Sequence, residues 1–229
     1  MNRESVKAAQ NVAAGIAHEL RTPVFGIASA AQLIRYRIGD DPVMERNIGR
    51  ILRETERLNT LIAALTEYGR PVPVQLESAD PDEVWTSVIE DHRGALESKA
   101  LLVRHTPATP RTVCRIDRQQ FADACGNGLT NAIDAAAEGS DLSVTSSIGS
   151  DGTWQSRLTN SGSVVPGDTL ARAFDPLVTT KPGHAGIGLA TVHRIVAEHG
   201  GAVSLDSTSD GDGISSTILT FTLPPERQP

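Results

Sequence analysis

The sequence predicts an α+β protein: an N-terminal helical hairpin that forms a four-helix bundle by dimerising, followed by an α/β sandwich, a mixed sheet with helices on one face. Three observations lead there. Apolar residues recur at alternating steps of three and four from residue 3 to residue 38, and again from residue 44 to residue 65. Pro71-Val72-Pro73 then ends that pattern. Beyond it, short β-like runs alternate with helical segments. The domain boundary falls after residue 70, giving residues 1–70 and 71–229.

The first seam is Val6, Ala9, Ala13, Ile16, Leu20, Val24, Ile27, Ala31, Ile34 and Ile38. Gly39-Asp40-Asp41-Pro42 breaks it, with Asp41 a good N-cap and Pro42 suited to the first helical position. The second seam is Met44, Ile48, Ile51, Thr55, Leu58, Ile62 and Leu65, ending at Gly69-Arg70-Pro71. Two such helices leave part of each apolar stripe wet, and a second hairpin is expected to cover it in a homodimer, the alternative being that the stripe packs on the rest of the same chain. Strands are expected at 101–105, 112–116, 142–148, 153–159, 202–206 and 214–223, with hairpin turns at Asp151-Gly152 and Asp212-Gly213. Helical patterns lie at about 81–98, 118–137 and 188–199.

Composition narrows the function. Apolar residues make up 39% of the 229 and aromatics 3%, which predicts a mostly aliphatic core. The net charge of −7, with no basic run, argues against a nucleic-acid partner. Cys114 and Cys125 stand in no metal-ligand spacing and read as small core residues in a reducing compartment. No stretch approaches the ~20 apolar residues of a membrane span, and no secretory signal is evident. A cytoplasmic chain without membrane contact of its own is expected, tethered to the inner membrane if a longer native chain carries an anchor.

Several polar groupings could carry chemistry. His18-Glu19 begins a zinc-protease pattern that fails at its fifth position, Thr22. Asp123, Asn127 and Asn131 stand at i, i+4 and i+8, on one helix face. By itself such a stripe reads more readily as a solvated surface. Gly126 and Gly128 each cost about 1 kcal/mol in a helix interior, which suggests that something approaches this helix closely. Amide oxygens suit Mg²⁺ when phosphates complete its shell. Asn160-Ser161-Gly162 turns off a strand end. Gly186 and Gly188 lead into a helix, where backbone N–H groups can reach a phosphate. A P-loop is excluded because the chain has no Gly-Lys pair, and a Rossmann fingerprint fails at Thr191. A loop with Thr179, Thr180 and Lys181 can close over a nucleotide.

Taken in order, these motifs resemble the catalytic core of a bacterial sensor histidine kinase over almost the whole chain. His18 to Pro23 is similar to the H-box, and Asp123 to Ala132 to the N-box. Asn160 to Gly162 sits at the first glycine box, Phe174-Asp175-Pro176 with Thr179-Thr180-Lys181 at the F-box, and Gly186 to Leu189 at the second glycine box. Thr179 to Pro182 and the stretch 53–61 resemble the nitrogen-regulatory subgroup.

The resemblance implies a GHKL-type ATP-binding fold, a homodimer, ATP and Mg²⁺ as cofactors, and a response regulator as partner. It implies that His18 attacks the γ-phosphorus, that Glu19 accepts the proton from the other ring nitrogen, and that Thr22 positions a water for hydrolysis of the regulator's phosphoaspartate. Asp123, Asn127, Asn131, Asn160, Gly162, Thr179, Thr180, Lys181, Gly186 and Gly188 are implied to bind the nucleotide, with Asn131 and Asn127 toward the metal. The family usually has aspartate where Asn160 stands, glycine where Val164 stands, glutamate at Asp123, leucine at Gly128, and a glycine near His184 where Gly183 is displaced by one. Weakened ATP affinity is expected from Asn160. The alternative reading is a degenerate scaffold that dimerises and binds regulators without efficient phosphoryl transfer. A gyrase- or chaperone-type ATPase has no use for the H-box. His92, His105, His193 and His199 read as surface or structural, and His184 as exposed in the loop.

Overall fold

The computed structural model describes residues 3–37, 41–70, 72–162, 164–181, 184–209 and 215–226. They divide into two compact units. One is built on Met1–Val72, with Lys181–Ile187 grouped to it, and the other on Pro73–Thr180 with Gly188–Pro229.

The first unit is a helical hairpin, α1 (Arg3–Arg37) and α2 (Pro42–Gly69). Asp41 caps α2: its carboxylate accepts from the N–H of Val43 at 2.9 Å and of Met44 at 3.2 Å. The expected break at Ile38 to Asp40, and Pro71, lie outside the described residues. Each helix presents two adjoining heptad columns, and the hairpin buries only one of them. On α1 the buried column is Ala17, Val24 and Ala31, with Ala13; on α2 it is Ile48, Thr55 and Ile62. Ala17, absent from the expected seam, is among the most buried of these. The other columns, Leu20, Ile27 and Ile34 on α1 and Met44, Ile51 and Leu58 on α2, stay 39–50% exposed. Small residues on α1 let the two backbones approach, so the larger side chains are left on the flank. Arg35 pairs with Glu45 at 2.6 Å near the loop, and Arg21 donates to the Thr66 hydroxyl at 3.2 Å.

In the second unit β1 (Glu77–Ala79) pairs with β3 (Cys114–Ile116) in a separate antiparallel ladder. The helices α3 (Pro81–Asp91), α4 (Arg93–Ser98), α5 (Arg118–Ala135), α6 (Gly167–Leu170) and α7 (Gly188–Glu198) alternate with β2 (Leu102–Thr106), β4 (Asp141–Ile148), β5 (Trp154–Ser161), β6 (Ala202–Ser209) and β7 (Ser215–Leu223). The main sheet runs β2-β4-β5-β7-β6, with β2 parallel to β4 and the other pairs antiparallel. The two-residue period of β5 buries Trp154, Ser156, Leu158 and Asn160 on one face.

Some expectations are corrected. The helix expected over 81–98 is two helices broken at His92, whose Nδ1 hydrogen-bonds the Val88 carbonyl at 2.8 Å. The strand expected over 112–116 keeps only Cys114–Ile116, and neither β1 nor α6 was expected. The Asp212-Gly213 turn lies outside the described residues. The core of this unit is mostly aliphatic, as expected, with four aromatic side chains among its buried members. Trp85, Phe121, Trp154 and Phe221 are fully buried, with Trp85 edge-on to Phe221 at 5.4 Å and Phe121 edge-on to Trp154 at 6.0 Å. Few aromatics suffice because they meet at one point. Cys114 and Cys125 are buried thiols, and burial pushes Cys114 up to about 12.

Two polar clusters pin the helices. Asp117 caps α5, accepting from the Gln120 N–H at 3.1 Å and the Gln75 N–H at 2.9 Å. Its own N–H donates to His199 Nε2 at 2.9 Å, while His199 Nδ1 lies 2.7 Å from the Ile195 carbonyl. These partners fix the neutral Nδ1–H tautomer and tie the end of α7 to the start of α5. Elsewhere Asp82, buried, accepts from the Ala108 N–H at 3.1 Å and the Trp154 indole at 3.2 Å, with His105 Nε2 at 3.6 Å. Burial alone raises its carboxyl, but His105, Ser146, the Ala108 N–H and Trp154 outweigh this and hold it below the usual value.

Two outcomes follow for stability. His199→Ala strands a buried N–H and a carbonyl, and unfolding in denaturant will show a loss of about 1–3 kcal/mol. Asp82 has a lowered folded value, so its contribution is present above the ordinary 3.8 and is lost as pH falls through the lower folded value. Acid titration of unfolding will show this limb, and Asp82→Asn will flatten it.

Candidate functional site

In the hairpin, His18 follows the buried Ala17 and is itself exposed, as are Glu19 and Thr22. His18 and Thr22 share a face at i, i+4, and Phe25, 73% exposed, lies on the same side at i+7. Phe25 was missed because it falls off the apolar seam. Pro23 lies inside α1 and has no N–H, so the Glu19 carbonyl lacks its helical donor. An exposed imidazole beside a carboxylate on a rigid helix can act as a nucleophile toward a group brought to it.

In the second unit, α5 presents Asp123, Asn127 and Asn131 along one face. Asn127 Nδ2 donates to the Asp123 carbonyl at 2.8 Å, which leaves its oxygen free to point off the helix. That oxygen lies 3.3 Å from where a Cβ on Gly188 would stand, so the start of α7 meets the middle of α5. Gln119 donates to the Asp123 carboxylate at 3.3 Å, and Asn131 is half-buried.

The glycines of α5 have a different reason from the one expected. A Cβ on Gly128 would come within 3.0 Å of Leu219 Cδ2 and 3.2 Å of Phe221 Cζ, and one on Gly126 within 3.4 Å of His92. What approaches the helix at these two positions is the protein's own sheet and His92, not a ligand. The missing leucine side chain at Gly128 is therefore matched by a closer approach of the helix.

At the far end of β5, Asn160 is 4% exposed and its Nδ2 has no hydrogen-bond partner among the described residues. Gly162 meets the end of α5: a Cβ there would lie 2.3 Å from the Ala135 carbonyl oxygen, and an isolated bridge joins Gly162 to Ala136. Thr217, nearly buried and paired with Asn160 in register, was not anticipated, since only strand pairing brings it there. Val164, where glycine was expected, is 44% exposed. Thr179 and Thr180 are exposed at the end of the loop, and Gly183 lies outside the described residues. Lys181 and Gly186, the latter at φ +68°, belong to the stretch grouped with the hairpin. Phe174 packs on the core and at a tilt against His193 at 5.6 Å, and burial pushes the His193 imidazole below its usual value.

The donor set fits Mg²⁺ held jointly with phosphates. Among the described residues there is no cluster of three or more His, Cys, Asp or Glu that would hold a cation by itself. The outward amide oxygen of Asn127 is the kind of neutral donor that a phosphate-bound ion accepts. The orphaned donor on Asn160 fits a polar ligand edge arriving at the strand end.

Residues 116–227 match the family of histidine kinase-, DNA gyrase B- and HSP90-like ATPases, and residues 8–71 match the His Kinase A (phospho-acceptor) domain. The sensor histidine kinase ZraS of Klebsiella oxytoca is 30% identical over 224 residues, covering 97% of this chain and 47% of that protein. The sensory histidine kinase/phosphatase NtrB of Rhizobium meliloti is 27% identical, covering 90% of this chain and 57% of that protein. The chain thus spans about half the length of the curated relatives it matches. Full-length ShkA, solved in complex with AMPPNP, matches 98% of this chain and 46% of its own at TM-score 0.64 and 21% identity. The Acinetobacter baumannii histidine kinase AdeS matches 92% of this chain and 98% of its own at TM-score 0.57 and 22% identity. These solved structures share the fold.

The close contact at Gly162 gives a sharp test. Gly162→Ala places a methyl against a backbone carbonyl that cannot rotate away, so calorimetry will show a loss of about 1–3 kcal/mol.

Proposed function

We propose, for a chain that belongs to the sensor histidine kinases by its phospho-acceptor and ATPase domains, that it phosphorylates His18 from ATP and passes the phosphoryl group to an aspartate of a response regulator. The observation that carries this reading is the exposed His18, with Glu19 beside it and Thr22 on its face, on a hairpin in the same chain as a nucleotide-binding fold. One ring nitrogen of His18 attacks the γ-phosphorus. The bond to the β-phosphate oxygen breaks, and ADP leaves with that electron pair. Imidazole suits this role because one ring nitrogen can offer a lone pair while the other carries the proton. Glu19 takes the proton that the second nitrogen loses as the bond forms. Thr22 orients the water that removes the phosphoryl group from the regulator, which makes the protein a phosphatase as well.

In the ATPase domain Asn160 and Gly162 line the base end, and Thr179, Thr180, Lys181, Gly186 and Gly188 the phosphate end. Asp123, Asn127 and Asn131 face the nucleotide from α5, and Asn127 and Asn131 would hold Mg²⁺. The ion would neutralise charge on the phosphates. We place the functional division between residues 70 and 71. The half-exposed columns on α1 and α2 support a homodimer, since a second hairpin covers them. Among the described residues no helix is long and apolar enough to cross a membrane, which accords with a cytoplasmic core, tethered where a longer native chain has an anchor.

The test is incubation with γ-labelled ATP and Mg²⁺. Acid-labile, alkali-stable label will enter the wild-type chain and be absent from His18→Gln. No label at millimolar ATP would overturn the kinase reading and leave a regulator-binding scaffold. Run alongside, Asn160→Asp will tighten ATP binding by about 1 kcal/mol, about fivefold, because a charged acceptor replaces a neutral one.

A further inference from the structure

We infer that the base end of the nucleotide site accepts 6-oxopurine nucleoside triphosphates, those of hypoxanthine and guanine, alongside the adenine nucleotide, and that Asn160 is the residue that determines this. The inference rests on the reading of this domain as a nucleotide site and names the class of base it takes.

The argument begins with strand parity. On the buried face of β5 the residues run Trp154, Ser156, Leu158 and Asn160, so an apolar row ends in an amide. Its register neighbours are Leu142 on β4 and Thr217 on β7, both buried. Asn160 is only 4% exposed, and no acceptor among the described residues meets its Nδ2. Two residues on, Gly162 has no side chain, and a Cβ there would come 3.4 Å from Nδ2. The polar end of the residue therefore lies at the end of β5, where the Ala135 carbonyl fills the space that Gly162 leaves, and its buried donor meets no acceptor among the described residues.

The chemistry of the purine edge then decides the class. Adenine presents the N6 amino group as donor beside N1 as acceptor. A 6-oxopurine presents the reverse, O6 as acceptor beside N1–H as donor. A carboxylate offers acceptors only, so it pairs with the adenine amino group and repels O6. A carboxamide carries one donor and one acceptor side by side, and by turning about its terminal torsion it meets either edge. Among the described residues no hydrogen bond donated by Nδ2 fixes that torsion. Its donor, wasted on the adenine amino group, is matched by O6. A site that leaves a donor unpaired with one base and pairs it with another gains selectivity from the difference.

Isothermal titration of the full chain with the Mg²⁺ salts of ATP, ITP and GTP tests this. For the wild type the Kd values of ITP and GTP are expected within about threefold of that of ATP, because one amide pairs with both edges. For Asn160→Asp, ATP is expected to bind about fivefold tighter and ITP at least about tenfold more weakly than ATP, because O6 then faces a carboxylate. A wild-type chain that binds ATP but holds ITP and GTP more than about tenfold more weakly overturns the inference and leaves the nucleotide site standing. A chain that binds no triphosphate overturns the nucleotide-site reading itself, and this inference with it. If melting shows that Asn160→Asp does not fold, the wild-type ratio decides alone.

Discussion

The closeness of α5 to the sheet is the constraint on which the ATPase unit depends. A helix carrying ordinary side chains stands off a sheet by the length of those side chains. Here Gly128 removes one at the point of contact, where Leu219 and Phe221 would crowd even a methyl. The helix end is brought equally close, since the Ala135 carbonyl occupies the space of the side chain that Gly162 lacks. The cap at Asp117 and the His199 bridge then fix the other end. A helix held at three points along its length has little freedom to rock, and its polar face becomes a fixed wall. Asn127 and Gly188 meet across that wall, so the α5 amides and the start of α7 have a set relation.

The hairpin solves the opposite problem. Its exposed functional side chains need a rigid axis but no enclosure. Alanines at 13, 17 and 31 let α1 and α2 pack closely along one column. The aliphatic column beside it is left half-covered, and 39–50% exposure at six large side chains is more than a stable isolated hairpin keeps. That deficit is what a second hairpin removes. The face that carries His18 is separate from both columns, because His18 follows Ala17 by a rotation of ~100°. Dimerisation therefore need not cover the site.

Much of this was legible in the sequence, and the failures have physical causes. Heptads, the Asp41 cap and the alternation in β5 are local patterns, and local patterns can be read. The break at His92 depends on a side chain reaching back to the Val88 carbonyl and on Thr130 of another helix near its other nitrogen, which no window of sequence reveals. The strand β1 has three residues, too few for a period. Gly126 and Gly128 correctly signalled a close approach, but sequence alone does not say what approaches. Composition rightly suggested a mostly aliphatic core, but it counts aromatics without locating them. The orphaned Nδ2 of Asn160 is a property of burial at the end of a paired strand, visible only once β4 and β7 flank it.

The six histidines differ in what the fold leaves their ring nitrogens to do. Phosphoryl acceptance requires a ring nitrogen that is unprotonated, unshared and accessible. His199 spends both nitrogens on backbone groups, one on Asp117 and one on Ile195. His92 places one against Val88 and the other against Thr130, and His105 faces Thr86 and Asp82. His193 packs at a tilt against Phe174 and is half-buried, and His184 has an interaction of its own. His18 alone is exposed with neither nitrogen engaged by any described residue, and it stands on a helix rather than in a loop. A structural histidine gains stability by using its nitrogens, and a reactive one must forgo that gain. Among the described residues the fold leaves one histidine in that state, His18, beside Glu19 on the exposed side of α1.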